Sequence, residues 1–172
     1  TTASYTSQEG RLGWNSEDGT LQVGMPGGNV SLQIGQESLV KVKATEDILN
    51  GQAVYISGAS GNNPQATLAQ ADAFATSHGT IGIATEDITS GQQGYVTTQG
   101  LVRGINTDSF NEGDDVFLSA DTAGALTNVE PTGNYIVHIG TVTRKSATEG
   151  IILVNVDVVH PLSEIKSDLT ED

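Results

Sequence analysis

Apolar and polar residues alternate along most of this 172-residue chain in short runs, each closed by glycine, asparagine or a Ser/Thr cluster. Leu21-Gln22-Val23-Gly24 is answered by Leu32-Gln33-Ile34-Gly35, with Pro26-Gly27-Gly28-Asn29 between them. Alternation on both sides of a turn signal predicts a β-hairpin. Residues 38–44 alternate again and place Lys41 and Lys43 on one solvated face, which fits an edge strand guarded by charge. Further strands are predicted at 53–57, 80–85, 94–98, 101–104, 116–119, 135–142 and 151–159. A glycine-rich loop is expected over 58–64, and turns at Thr89-Ser90-Gly91 and Gln99-Gly100. Only 66–77 has helical composition. Its loose apolar spacing predicts a short helical turn near 70–74 and leaves 66–69 open as strand. Short strands with turns every 8 to 12 residues or so predict an all-β sandwich or barrel with at most one short helix.

The strand order repeats. Gly51-Gln52-Ala53-Val54-Tyr55-Ile56-Ser57, Ile81-Gly82-Ile83-Ala84-Thr85 and Gly94-Tyr95-Val96-Thr97-Thr98 form the first set. Gly113-Asp114-Asp115-Val116-Phe117-Leu118-Ser119, Ile139-Gly140-Thr141-Val142-Thr143 and Gly150-Ile151-Ile152-Leu153-Val154 answer them at offsets of 62, 58 and 56 residues. An offset that shrinks only where a loop can shorten is the trace of a duplicated β-unit. Each unit opens on a corner, Asn50-Gly51 or Glu112-Gly113, whose glycine is expected to take positive φ. The repeated positions are glycines and apolar strand residues, so what is repeated is packing, as in a structural module rather than a catalyst.

These runs divide the chain into an extended N-terminal arm (1–18), a hairpin and lead strand (19–45), a first β-unit (46–104), a second (105–160) and an acidic tail (161–172). A unit of about 60 residues buries only about 60% of its unfolded surface, so the halves are expected to share a core or to oligomerise. Trp14 reads as a core or edge anchor, with a partner-stacking residue as the alternative. Leu162, Ile165 and Leu169 stand at helical spacing in a tail that otherwise reads as frayed.

Charge narrows the partners. Twenty-one Asp+Glu against seven Lys+Arg give a net charge of -14. Nucleic acid is bound through Lys/Arg patches and anionic membranes through basic segments, so neither is an expected partner. The absence of cysteine removes disulfides, thiolate chemistry and Cys-based zinc sites. No apolar run approaches the roughly 18 residues of a spanning helix. His78, His138 and His160 are scattered and read as structural or exposed; no nucleophile elbow or His-Glu-x-x-His helix accompanies them. Glu112-Gly113-Asp114-Asp115, with Asp108 nearby, is the densest acidic cluster. Its counterpart in the first unit, Asn50-Gly51-Gln52-Ala53, has no carboxylate and would not bind a cation, so the cluster reads as a solvated turn, as does Glu86-Asp87. No enzyme activity, cofactor or metal is expected.

The sequence also resembles a known family. Leu21-Gln22-Val23-Gly24, Gln52-Ala53-Val54-Tyr55-Ile56, Ile81-Gly82-Ile83-Ala84-Thr85-Glu86-Asp87-Ile88, Gly94-Tyr95-Val96-Thr97-Thr98 and Gly113-Asp114-Asp115-Val116-Phe117-Leu118-Ser119 carry the likeness. It continues through Gly124-Ala125-Leu126-Thr127-Asn128 and Ile139-Gly140-Thr141-Val142. Together they resemble the virion structural proteins of tailed bacteriophages, in particular the small β-rich decoration (cement) proteins that coat phage heads. The resemblance implies a non-enzymatic protein, assembled in the bacterial host cytoplasm, that sits on the outer surface of the capsid. It would stabilise the shell by bridging coat subunits. The implied partners are the major capsid protein and further copies of the chain, as a homotrimer. An acidic surface suits the outside of a shell better than the face against packaged DNA. The arm before Trp14 and the tail after His160 lie outside the resemblance. The arm is the expected lattice or neighbour contact, with Tyr5, Arg11, Leu12 and Trp14 as its candidate residues. The rival reading is a head-fibre or tail-associated adhesin domain that binds a host receptor through exposed loops at 58–64 and 121–133.

Overall fold

A computed structural model describes residues 8–132 and 134–159. Strands β1 (Leu12–Asn15), β2 (Thr20–Gly24) and β3 (Ser31–Gln33) form a small antiparallel sheet in which Trp14 lies opposite Leu21 and Val23 opposite Leu32. The β2–β3 pair is the hairpin expected from the Leu-Gln-Val/Leu-Gln-Ile echo. The body follows: β4 (Ser38–Ala44), β5 (Ala53–Ser60), β6 (Asn63–Leu68), the short helix α1 (Phe74–Ser77), β7 (Thr80–Ala84), β8 (Gln93–Ile105), β9 (Asp115–Leu118), β10 (Leu126–Thr127), β11 (Ile136–Arg144) and β12 (Gly150–Val159). The nine body strands run in the order β10-β9-β11-β12-β8-β4-β6-β5-β7, and a further β7–β8 pairing closes β8, β4, β6, β5 and β7 into a five-stranded barrel. Of the two all-β forms expected, the barrel is the one present.

The duplication holds in register over most of its length, with a one-residue shift where Gly150 pairs with Ile105 and Gly94 with Val42. Val54 pairs with Gly82 as Val116 pairs with Gly140, and Tyr55 with Thr80 as Phe117 with His138. Ala84 pairs with Val96 as Val142 with Ile152. Ile56 pairs with Ala66 as Leu118 with Leu126, so the two-residue β10 is the counterpart of β6. Val40 pairs with Val96 as Val102 with Ile152. Each unit therefore begins one strand earlier than the sequence repeat shows, at β4 and at the second half of β8. The corners agree as well: Gly51 (φ 88°) donates to the Ala84 carbonyl at 2.9 Å, and Gly113 (φ 87°) to the Val142 carbonyl at 2.8 Å.

Four local expectations change. Residues 99 and 100 do not turn the chain; β8 runs unbroken for 13 residues and serves both units. Residues 58–64 are not a loop but the tip of the β5–β6 hairpin, paired as far as Ser60 and Asn63. Lys41 and Lys43 are not on an edge, because β4 is hydrogen-bonded to β8 on one side and β6 on the other. Their side chains lie on the barrel exterior, Lys41 over the Tyr95 ring (6.0 Å) and Lys43 against Ser60 Oγ (3.4 Å). The helical turn falls at Phe74–Ser77, at the end of the segment expected to hold it.

Two apolar clusters fill the body. One lies in the closed barrel, around Val42, Ile48, Val54, Ile88 and Val96. The larger lies in the second unit, around Ile105, Phe110, Leu118, Ile139 and Ile152, and takes in Ala53, Ala69, Ala71 and Ile83 from the first unit. Each fully buried Val or Ile contributes about 1.5–3 kcal/mol. Backbone bonds reinforce the join: Ala53 N–H to the Gly124 carbonyl (2.9 Å), Gly124 N–H to Ala69 (2.7 Å) and Ala71 N–H to Ser119 (2.9 Å).

Candidate interaction surface

The small sheet is inverted. In a sheet packed on a globular body, the apolar face normally turns inward. Here Gln22 and Gln33, opposite one another, point inward and are each 5% exposed. Leu12 and Trp14 are each 63% exposed on the outer face, with Leu21 at 47% and Ile34 at 43%. Val23 and Leu32, half-buried, complete the same face by alternation. No ionisable side chain interrupts these six. The exposed apolar area is on the order of 400 Å², the upper part of what monomeric proteins show, and patches of this kind mark interaction sites.

The inward face is a polar network. Gln33 Nε2 donates to Gln22 Oε1 (3.1 Å), and Asn15 Nδ2 to Gln22 Oε1 (3.2 Å) and Asp18 Oδ2 (2.8 Å). Gln33 Oε1 is buried without a hydrogen-bond partner, a cost of about 1–3 kcal/mol. Arg103 on β8 clamps the sheet to the body through Asp18 Oδ1 (3.1 Å) and Glu37. Gln36 Nε2 adds a bond to the Asp18 carbonyl (3.0 Å), and the Glu37 carboxylate accepts the Gln33 N–H (3.1 Å). Burial pushes the Glu37 carboxyl above its ordinary value, and the Gln33 N–H and the Arg103 guanidinium pull against that shift. The clamp fixes which face the sheet presents, and that face is apolar.

Of the four candidate contact residues, Leu12 and Trp14 lie on this face. Trp14 is therefore not a core anchor. Arg11 is exposed at the start of β1, where its Nη1 donates to Gln8 Oε1 (3.1 Å) and its carbonyl accepts the Gly24 N–H (3.1 Å). Tyr5 lies outside the described residues, as do His160 and the acidic tail. Leu21 and Ile34 were missed as contacts. The paired Leu-Gln motifs reveal alternation, but alternation alone does not say which set faces in.

The residues singled out for possible chemistry serve the turns. Asp114 Oδ2 accepts the Asn111 N–H and Asn128 Nδ2, both at 2.9 Å, and the first of these bonds leads in holding its carboxyl below the ordinary range. Gln52 Oε1 does the same work in the first unit, accepting the Leu49 N–H at 2.7 Å. Glu86 accepts the Tyr95 N–H (3.1 Å) and Asp87 the Asn50 N–H (2.8 Å). His78 stacks on Phe74 at 4.1 Å, and His138 lies 3.4 Å from Asp115 Oδ1. Among the described residues, no three His, Asp or Glu side chains are grouped to hold a metal.

Comparison with known proteins bears on the body more than on the small sheet. The family model described as phage cement protein matches residues 32–158. No curated protein matches the sequence. Among solved structures, the N base of head fibre gp8.5 of bacteriophage phi29 is similar at 10% identity and a TM-score of 0.46, over 73% of this chain and 100% of that one. The family match begins inside the small sheet, at Leu32, and leaves β1 and β2 outside it. Since it spans most of the sequence, the chain belongs to the phage cement protein family and is a structural protein of the virion.

Proposed function

We propose that this protein decorates the outer surface of a phage head, seats the apolar face of β1–β3 on the major capsid protein, and stabilises the shell by bridging coat subunits. The observation that carries the reading is the inverted sheet: a charge-free apolar face held outward by a half-buried ion-pair clamp, on a chain of the cement family. A net charge of -14 favours the outer face over the DNA-facing one. Copies gathered around a symmetry axis, as a homotrimer, would multiply modest contacts into a large barrier to opening the shell. The mechanism is added interface and not catalysis, in keeping with Asp114, Glu86 and Asp87 serving as acceptors of backbone N–H groups in their turns. The rival adhesin reading loses one of its two loops, because 58–64 is a paired hairpin.

Undecorated heads test this. Wild-type protein should co-sediment with them. Trp14→Asp should weaken binding by about 30-fold or more, since a central interface Trp is worth about 2 kcal/mol or more. Its melting temperature should hold within about 2 °C, because an exposed side chain contributes little to folding. Unchanged head binding by Trp14→Asp would overturn the assignment of the surface. Wild-type binding to host cells and not to heads would favour the adhesin.

A further inference from the structure

The second unit has a gap where the first is closed. In the first, Lys43 and Ala44 pair in parallel with Gln65 and Ala66. The Thr45 N–H donates to the Ala66 carbonyl at 3.0 Å, and Thr45 Oγ1 adds a second bond to it at 3.2 Å. Gly150 pairs with Ile105 where Gly94 pairs with Val42, so past a one-residue shift in β8 Ala44 and Thr45 map onto Thr107 and Asp108, and Ala66 onto Leu126. Among the described residues no pairing joins β8 to β10. Thr107, fully buried, keeps a bond like that of Ala44 to Gln92, its N–H going to the Ser146 carbonyl (2.8 Å), but the Asp108 N–H turns back to Asn106 Oδ1 (3.0 Å) instead of reaching β10.

Side-chain size and polarity account for the difference. Ala44 (1% exposed) and Ala66 (0%) let two strands meet at the closed seam. Their counterparts are the larger and polar Thr107, whose Oγ1 bonds the Arg144 carbonyl (2.8 Å), and a half-buried Leu126. The residues that would have paired instead flank a cavity of about 600 Å³ with Ile105, Phe110, Leu126 and Ile152 along its wall. The backbone of β10 faces it. The Ser119 N–H bonds the Ala125 carbonyl (3.0 Å), which makes Leu118 and Leu126 a non-hydrogen-bonded pair, so the peptide groups of Leu126 point away from β9 into the gap.

We propose that this gap is a second docking site for the coat, in which an extended coat segment adds as a strand beside β10 and lays an apolar side chain against Phe110 and Ile152. The inference rests on the decoration reading. Strand addition supplies the backbone bonds that β4 supplies to β6 in the first unit. Charge selects the occupant: the one ionisable group lining the cavity is Asp108, and the chain carries -14. A second copy is repelled, and a segment with an apolar residue beside Lys or Arg is complementary.

Hydrogen exchange on free and head-bound protein, with two rim variants, decides it. On heads, exchange at the Leu126 amide should slow by about tenfold or more. Ser109→Trp, which crowds the mouth, and Asp108→Lys, which reverses its charge, should each lower head occupancy by about tenfold while the melting temperature holds within about 2 °C. Bound protein with unchanged Leu126 exchange would overturn this inference and leave the decoration reading standing. Slowing in head-free oligomers would assign the gap to a second copy and equally overturn it. Failure of the wild type to bind heads would overturn both.

Discussion

Gly82 and Gly140 hold the same place in the two units, and a Cβ on either would run into a backbone carbonyl, that of Thr97 or of Leu153. Neither carbonyl can move without breaking a strand pair, so Gly82→Ala and Gly140→Ala should each cost about 3 kcal/mol. A urea midpoint unchanged in either variant would contradict this close approach. Glu37 sets a pH signature. Its carboxyl is raised above the ordinary value of 4.5, chiefly by burial, so the folded protein binds a proton where the unfolded chain does not. This group alone makes stability fall as pH rises from the ordinary value through the raised one, and grow as pH falls back. Glu37→Gln removes that dependence. The melting temperature of the variant minus that of the wild type should therefore increase with pH across that window; a flat or decreasing difference would show that Glu37 does not titrate there.

Among elements, the seam between β4 and β6 is closed by two alanines, and the second unit shows what a larger residue does in that place. Ala66→Leu, which copies Leu126, should open the barrel at a cost of about 1–3 kcal/mol. The Thr45 amide, bonded to the Ala66 carbonyl, should then exchange faster; unchanged protection would mean that residue size does not hold the seam. The repeat itself was legible as three offsets, because glycines at close approaches and apolar strand residues tolerate little change. Its first strand leaves a shorter trace: Leu39-Val40-Lys41 is answered by Leu101-Val102-Arg103 at the same offset as the first block, and three residues without a glycine do not stand out in an alternating sequence. Gln99-Gly100 has the composition of a turn but lies within a strand paired on both sides. Lys41 and Lys43 looked like edge guards because a lysine on the outside of a barrel and one on an edge leave the same alternating pattern. The inversion of the small sheet was hidden for a related reason. It depends on Arg103, which is 85 residues from Asp18 and 66 from Glu37, and no local pattern reports so distant a clamp.

At the scale of the whole molecule, the parts form one arrangement. The duplicated body joins two units through a shared apolar cluster and cross-unit backbone bonds. The small sheet, mostly outside the family match, is added to that body with its polar side tied down and its apolar side outward. A net charge of -14 favours solubility at high concentration and disfavours contact between like-charged faces. Cryo-electron microscopy of heads saturated with the protein tests this arrangement most directly. The expected map shows a regular outer layer at a simple ratio to the coat subunit, with β1–β3 toward the shell and Trp14 buried against it. A map with that sheet facing solvent, or with the protein confined to a few copies on a fibre or tail, would contradict the account.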